Sequence, residues 1–216
     1  MARIAAARRA CGTLPDFDAS LALELVSGRS VHLSGRLDHL TPDGRVLARF
    51  TKNGGRGELE DWIRHLFLCA CVEEGADLAP HTFVVGRPAS AKEPWPVIEF
   101  VPVKDARGEL ARLLDCVLES GDGPLPFFPD ASRKFAAGAK DDPAQARRTA
   151  NLHFFGSGSA AFGPGPEGQR ELETLRLWEG RSPLAEPVPG MEDLDFERLA
   201  QAIYQPLFDA RKEHAS

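Results

Sequence analysis

Asp38, late on one run of alternating residues, and Lys52, just past the next, are the residues whose types and spacing come nearest to a reaction. Metal-dependent cleavage of a phosphodiester needs oxygen ligands for a divalent cation, and commonly a lysine beside the attacking water or the leaving oxygen. One layout that supplies them has an aspartate ending a strand, an acidic-x-Lys triplet on the next strand, and a helix after it. Here the triplet reads Phe50-Thr51-Lys52. A phenyl ring coordinates nothing, and one carboxylate without a second holds Mg²⁺ weakly. Asp38, Phe50 and Lys52 are therefore expected to be degenerate nuclease positions, with no catalytic residue and no metal. The alternative is a metal-dependent DNA nuclease with a displaced acid, either Glu24 on the preceding strand or Glu58 at the start of the helix.

Other chemistries find less support. His39, His65 and His81 show no HxH or HxxxH spacing, so a zinc site is not expected. His65 lies beside an apolar stripe and is expected to pack or to hydrogen-bond. The glycine runs GGRG (54–57) and GSGS (156–159) lack the Lys-Ser/Thr of a phosphate-binding loop, so no nucleotide and no other cofactor is expected. No GxSxG elbow is present. Arg133-Lys134 and Arg147-Arg148 form a cationic patch near the PFFP segment, a candidate contact for DNA phosphates.

The elements that position these residues follow from periodicity. Residues 20–26 alternate Leu21, Leu23 and Leu25 with polar or small neighbours, a half-buried strand. Residues 31–40 place Val31, Leu33, Gly35 and Leu37 on one face. Thr41-Pro42-Asp43-Gly44 is a turn, and residues 45–51 return with Val46, Ala48 and Phe50 on one face. A three-stranded antiparallel meander is expected. Residues 58–71 form a helix on Leu59, Trp62, Ile63, Leu66, Phe67 and Ala70. Strands are expected over 81–86 and 97–103, with PASAKEPWP as a surface loop between them. A second helix spans 105–119, with Leu110, Leu113, Leu114, Val117 and Leu118 inward. PLPFFPDAS (124–132) reads as a packed loop. Helices follow over 143–155, 167–179 and 193–210, with a mobile GSGSAAFGPGPEG segment after the first and a solvated RKEHAS tail. An amphipathic helix is expected over 2–11.

The sheet-rich part ends near residue 123. The expected organisation is therefore an α/β core over 1–123 and a helical, loop-rich extension of the same domain over 124–216. A chain of 216 residues buries a real core without staples. The net charge of −6 argues against a uniformly basic nucleic-acid binder, though not against a local basic groove. Cys11, Cys69, Cys71 and Cys116 form no CxxC pair, which fits a reducing cytoplasm, and no run of residues is long and apolar enough to cross a membrane.

Four stretches in fixed order carry a family resemblance. They are LSGRLDHLTPDGRVLARF, EDWIRHLFLCA, PLPFFPDASRKFA and TLRLWEGRSPL…DFERLAQAIYQPLF, which together span about residues 20–208. In them the chain resembles the C-terminal domain of the gamma subunit (RecC) of exodeoxyribonuclease V, the RecBCD helicase–nuclease. The resemblance implies a PD-(D/E)xK nuclease-like mixed sheet with flanking helices whose catalytic acids are lost, in agreement with Phe50. It implies a non-catalytic role in recombinational double-strand break repair, packing against beta (RecB-like) and alpha (RecD-like) subunits and guiding split DNA strands. It also implies a cytoplasmic complex and, since a full gamma subunit is much longer, a fragment or separate product.

Overall fold

The computed structural model of the chain describes residues 12–49, 54–88, 94–119, 121, 125–156, 178, 182–186 and 195–214. Strands β1 (Phe17–Glu24) and β2 (Ser30–Leu37) pair antiparallel, from Phe17↔Leu37 to Glu24↔Ser30, in a sheet of their own. Leu21 and Leu23 are buried while Ser20, Ala22 and Glu24 face solvent, the period of two that the sequence predicts. The chain then breaks. His39 takes a φ of +58°, a conformation that His, Asn and Asp adopt more readily than other side chains. β3 (Leu40–Thr41) and β4 (Gly44–Ala48) consequently enter a second, five-stranded sheet of order β3-β4-β5-β6-β7. The expected unbroken strand over 31–40 and the three-stranded meander are corrected accordingly.

The other members of this sheet are β5 (Thr82–Val85), β6 (Val97–Phe100) and β7 (Arg211–His214). β4 and β5 run parallel; the remaining pairs are antiparallel. Parallel neighbours need a crossover, and helix α1 (Gly55–Glu73) supplies it. Gly44 makes the entry possible: its φ is +133°, and a Cβ there would stand 2.5 Å from the His81 carbonyl oxygen. Arg45, Thr82, Phe100 and Arg211 align across the sheet, as do Leu47, Val84, Ile98 and Glu213. α1 covers this face, with the Trp62 and His65 rings 5.7 and 5.6 Å from Phe100. The inward residues of β4 are thus Arg45 and Leu47. Val46 is half-buried and Ala48 exposed, because α1 rather than the hairpin sheet sets which side is the core.

α1 begins three residues earlier than the periodicity predicts. Trp62, Leu66, Phe67 and Ala70 are buried as expected, together with Leu68, Cys69 and Cys71, but Ile63 is 41% exposed. The helix therefore buries a broad arc displaced from the simple stripe. In α2 (Ala106–Glu119) the buried arc runs through Ala106, Leu110, Ala111 and Asp115, which leaves Val117 and Leu118 exposed, against expectation.

Three further helices follow, α3 (Pro129–Ala139), α4 (Pro143–Phe155) and α5 (Phe196–Ala210). α4 and α5 match their predicted places, whereas α3 replaces the tail of the expected PLPFFPDAS loop. Pro at the first helical position and Asp130 in the first turn both favour that start. Asp142 caps α4 by accepting from the Gln145 N–H at 3.0 Å. Phe128, Phe135, Phe154 and Phe196 form an aromatic core, and Ala131, Ala146, Ala150 and Ala200 let the helix backbones approach. Residues 211–214 of the expected solvated tail are instead β7. Glu99 on β6 receives the His81 ring at 2.9 Å and the His214 ring at 2.6 Å.

The described residues divide into two compact units. One draws on Met1–Asn53, Glu60–Cys116 and Ala210–Ser216, the other on Gly54–Leu59 and Val117–Asp209. Among the described residues no helix is long and apolar enough to cross a membrane. The helix expected over 2–11, the interior of PASAKEPWP, the 157–168 segment and the helix expected over 167–179, apart from a buried Trp178, lie outside the described residues.

Candidate functional site

The turn Thr41-Pro42-Asp43-Gly44 folds β4 back so that Arg45 lies beside Asp38. Arg45 Nη2 donates to Asp38 Oδ1 at 2.6 Å, and Arg45 Nε donates to the Asp38 carbonyl oxygen at 3.1 Å. The Arg45 side chain is 2% exposed and that of Asp38 49%. Arg45 Nη1 is buried with no partner among the described residues. His39 Nε2 stands 3.8 Å from the other Asp38 oxygen, and the His39 carbonyl accepts from Val46 N–H at 3.0 Å. Partial burial alone would raise the Asp38 pKa, but the hydrogen bond and charge of Arg45 outweigh it and hold the carboxyl below its usual range. The Asp38 carboxylate thus already faces a guanidinium.

The other acids weighed for that site are accounted for differently. Glu24 pairs with Ser30 at the turn end of the hairpin, whereas Leu37 and Asp38 lie at its opposite end. Seven residues of strand separate the two ends, roughly 23 Å at ~3.3 Å per residue, so Glu24 and Asp38 share no metal. Glu58 is 2% exposed and ion-paired with Arg133. Among the described residues no group of three or more His, Cys, Asp or Glu side chains is placed to hold a metal ion. Phe50 and Lys52 lie outside the described residues.

The four basic candidates sit on two helices, Arg133 and Lys134 on α3, Arg147 and Arg148 on α4. Arg133 is engaged: it pairs with buried Glu58 and lies 6.0 Å over the Phe208 ring. Arg147 pairs with Glu197, which raises its pKa. Lys134 and Arg148 are exposed.

His65 behaves as a core residue. Its Nε2–H donates to the Val101 carbonyl at 3.0 Å, so Nδ1 is the acceptor for the Thr82 hydroxyl at 3.1 Å. Burial lowers its pKa to about 4, so the ring is neutral at pH 7. Cys69 and Cys71 are free and buried, and burial raises both thiols to about 11. Neither residue set offers a nucleophile or a ligand.

Arg45 is the site residue that no motif reveals. Its only signal is a cation in a short apolar strand directly after a tight turn, a pattern shared by many solvent-facing arginines.

A family model described as the RecC C-terminal domain matches residues 1–140, a span that reaches from the hairpin through α3. No curated protein matches the chain.

Proposed function

The chain belongs to the RecC C-terminal domain family, and from that premise we propose that it is a non-catalytic domain of the gamma subunit of exodeoxyribonuclease V. On this reading it acts in recombinational repair of double-strand breaks in the cytoplasm. It packs against the beta (RecB-like) and alpha (RecD-like) subunits and guides the split DNA strands, while the motors and the active nuclease reside in those partners. Its first 123 residues are a PD-(D/E)xK-like core whose chemistry is lost, and the rest a helical extension of the same domain.

The match over residues 1–140 carries the reading. The Asp38–Arg45 pair supports its non-catalytic part, since a metal would have to displace a guanidinium from the carboxylate it needs. Phe50 supports it from sequence, standing where the second acid belongs. DNA contact on this account falls first to Lys134 and Arg148, whose charges face solvent, with Arg133 and Arg147 in ion pairs beside them.

Co-expression with the beta and alpha subunits of the same organism tests the proposal. The account expects the tagged chain to retain at least one of them through a wash at moderate salt. Elution of the chain alone, with folded partners present, would contradict it.

A further inference from the structure

β7 has few of the means by which a strand usually holds its place. Arg211 is half-buried and Lys212, Glu213 and His214 are exposed, so apolar burial contributes little. The start of the strand is fixed, since the Val101 N–H donates to the Ala210 carbonyl at 3.0 Å and Ala210 is buried. The far end is fixed by one side chain. Glu99, 13% exposed, lies on β6 between His81, which directly precedes β5, and His214, the last residue of β7. A carboxylate only accepts hydrogen bonds, so His81 Nδ1–H and His214 Nε2–H are the donors, at 2.9 and 2.6 Å. The second nitrogen of each ring has no partner among the described residues, and the two side chains are 35% and 50% exposed. Each imidazole can therefore take a second proton without breaking its bond to Glu99.

We propose that β7 is a pH-gated strap, clasped to β6 through Glu99 while the two imidazoles are charged and loosened from its His214 end as they lose their protons. Imidazoles change charge between about pH 5 and 8, and a hydrogen bond from an imidazolium to a carboxylate is stronger than one from a neutral ring. The clasp is thus strongest on the acid side of that range and weakens as pH rises. Partial burial alone would raise the Glu99 pKa, but the hydrogen bonds of His214 and His81 and their charges outweigh it and hold the carboxyl below its usual range. Glu99 therefore keeps its charge at the acid end. Its other neighbours on this face of the sheet are Phe83, opposite it on β5 and stacked on His81, and Lys212, opposite it on β7. A phenyl ring carries no charge, and lysines change theirs only near about pH 10. Arg211 and Glu213 lie on the α1 face and pair with each other. Loosening of β7 bares the edge of β6 at Val97–Phe100, whose backbone groups then open to solvent.

The test is amide hydrogen exchange of the full chain, followed residue by residue by NMR at about pH 5.5 and about pH 8 and corrected for the intrinsic rate. Wild type should protect the amides that join β6 and β7 about two- to fivefold more at the lower pH, the fold-change expected of a partly exposed ion pair. Glu99→Gln keeps an acceptor but removes the charge, and His214→Gln removes the titrating ring at the free end of the strap. Both should abolish the difference, and His81→Gln should reduce it. His214 is half in solvent, so its variant keeps the test open should Glu99→Gln fail to fold. Equal protection of wild type at the two pH values overturns the strap. So does a pH difference that survives in Glu99→Gln or in His214→Gln, since its source would then be another group.

Discussion

Removing the Asp38 carboxylate should destabilise the chain through the charge it leaves behind. Arg45 is almost fully buried, its Nη1 has no described partner, and Nη2 would lose its acceptor. Breaking a fully buried ion pair from one side costs about 3–5 kcal/mol, and an exposed pair is worth about 0.2–1 kcal/mol. With one partner buried and the other half in water, Asp38→Ala should cost about 2 kcal/mol. Asp38→Asn keeps one acceptor for Nη2 and should cost about 1 kcal/mol. Arg45→Met removes the buried charge itself, so Asp38→Ala should do little further harm in that background. A double-mutant cycle by urea unfolding should therefore give a coupling of about 1 kcal/mol or more. The pH dependence has a definite sign. The folded pKa of Asp38 lies below its unfolded value, so the stabilisation is present above about pH 4 and is lost as pH falls through the folded value. The gap between wild type and Asp38→Asn should close there. Additive single mutants, or Asp38→Ala unfolding at the wild-type midpoint, would refute the assignment.

Three further outcomes are expected. His65 is neutral in the fold with a pKa of about 4, against about 6.5 unfolded, so its contribution is intact above pH 6.5 and is lost as pH falls towards 4. The loss is about 3 kcal/mol at most, and a His65→Gln variant should lack that part of the slope. Gly55→Ala would drive a Cβ into the Pro129 carbonyl and should lower the thermal midpoint by the equivalent of about 1–3 kcal/mol. In filter binding of fork DNA, Arg148→Ala should weaken affinity and reduce the salt slope by about 1, with a smaller effect for Arg147→Ala because Glu197 already holds that guanidinium. Unchanged slopes in both would remove the proposed DNA contact.

The legible parts of the fold are those where one face is buried and the other wet. β1, α1, α4 and α5 announce themselves through periods of two or 3.6, and Asp142-Pro143 marks the start of α4 within a residue. The break at His39 does not, because Leu37-Asp38-His39-Leu40 contains neither Gly nor Pro. A single left-handed residue divides what reads as one strand into members of two sheets. β7 is illegible for a different reason. Arg-Lys-Glu-His has no apolar alternation, and it becomes a strand because the edge of β6 offers partners and Glu99 holds His214. Charged edge strands of this kind are protected from pairing with other chains. At the candidate site, Phe50 is legible in the sequence as an apolar residue at the acidic position of the triplet, whereas Arg45 acquires meaning only once the turn brings it against Asp38. Pro129, Asp130 and the spacing of Ala131, Phe135 and Ala139 signal α3, but the surrounding prolines read as a loop.

On the proposed reading Asp38 is inert because it is paired with Arg45 and, among the described residues, belongs to no group placed to hold a metal. Incubation of the purified chain with linear duplex DNA in Mg²⁺ and in Mn²⁺ tests it most directly. The account predicts no cleavage with either metal, for wild type and Asp38→Ala alike. Metal-dependent cleavage by wild type that Asp38→Ala abolishes would contradict it.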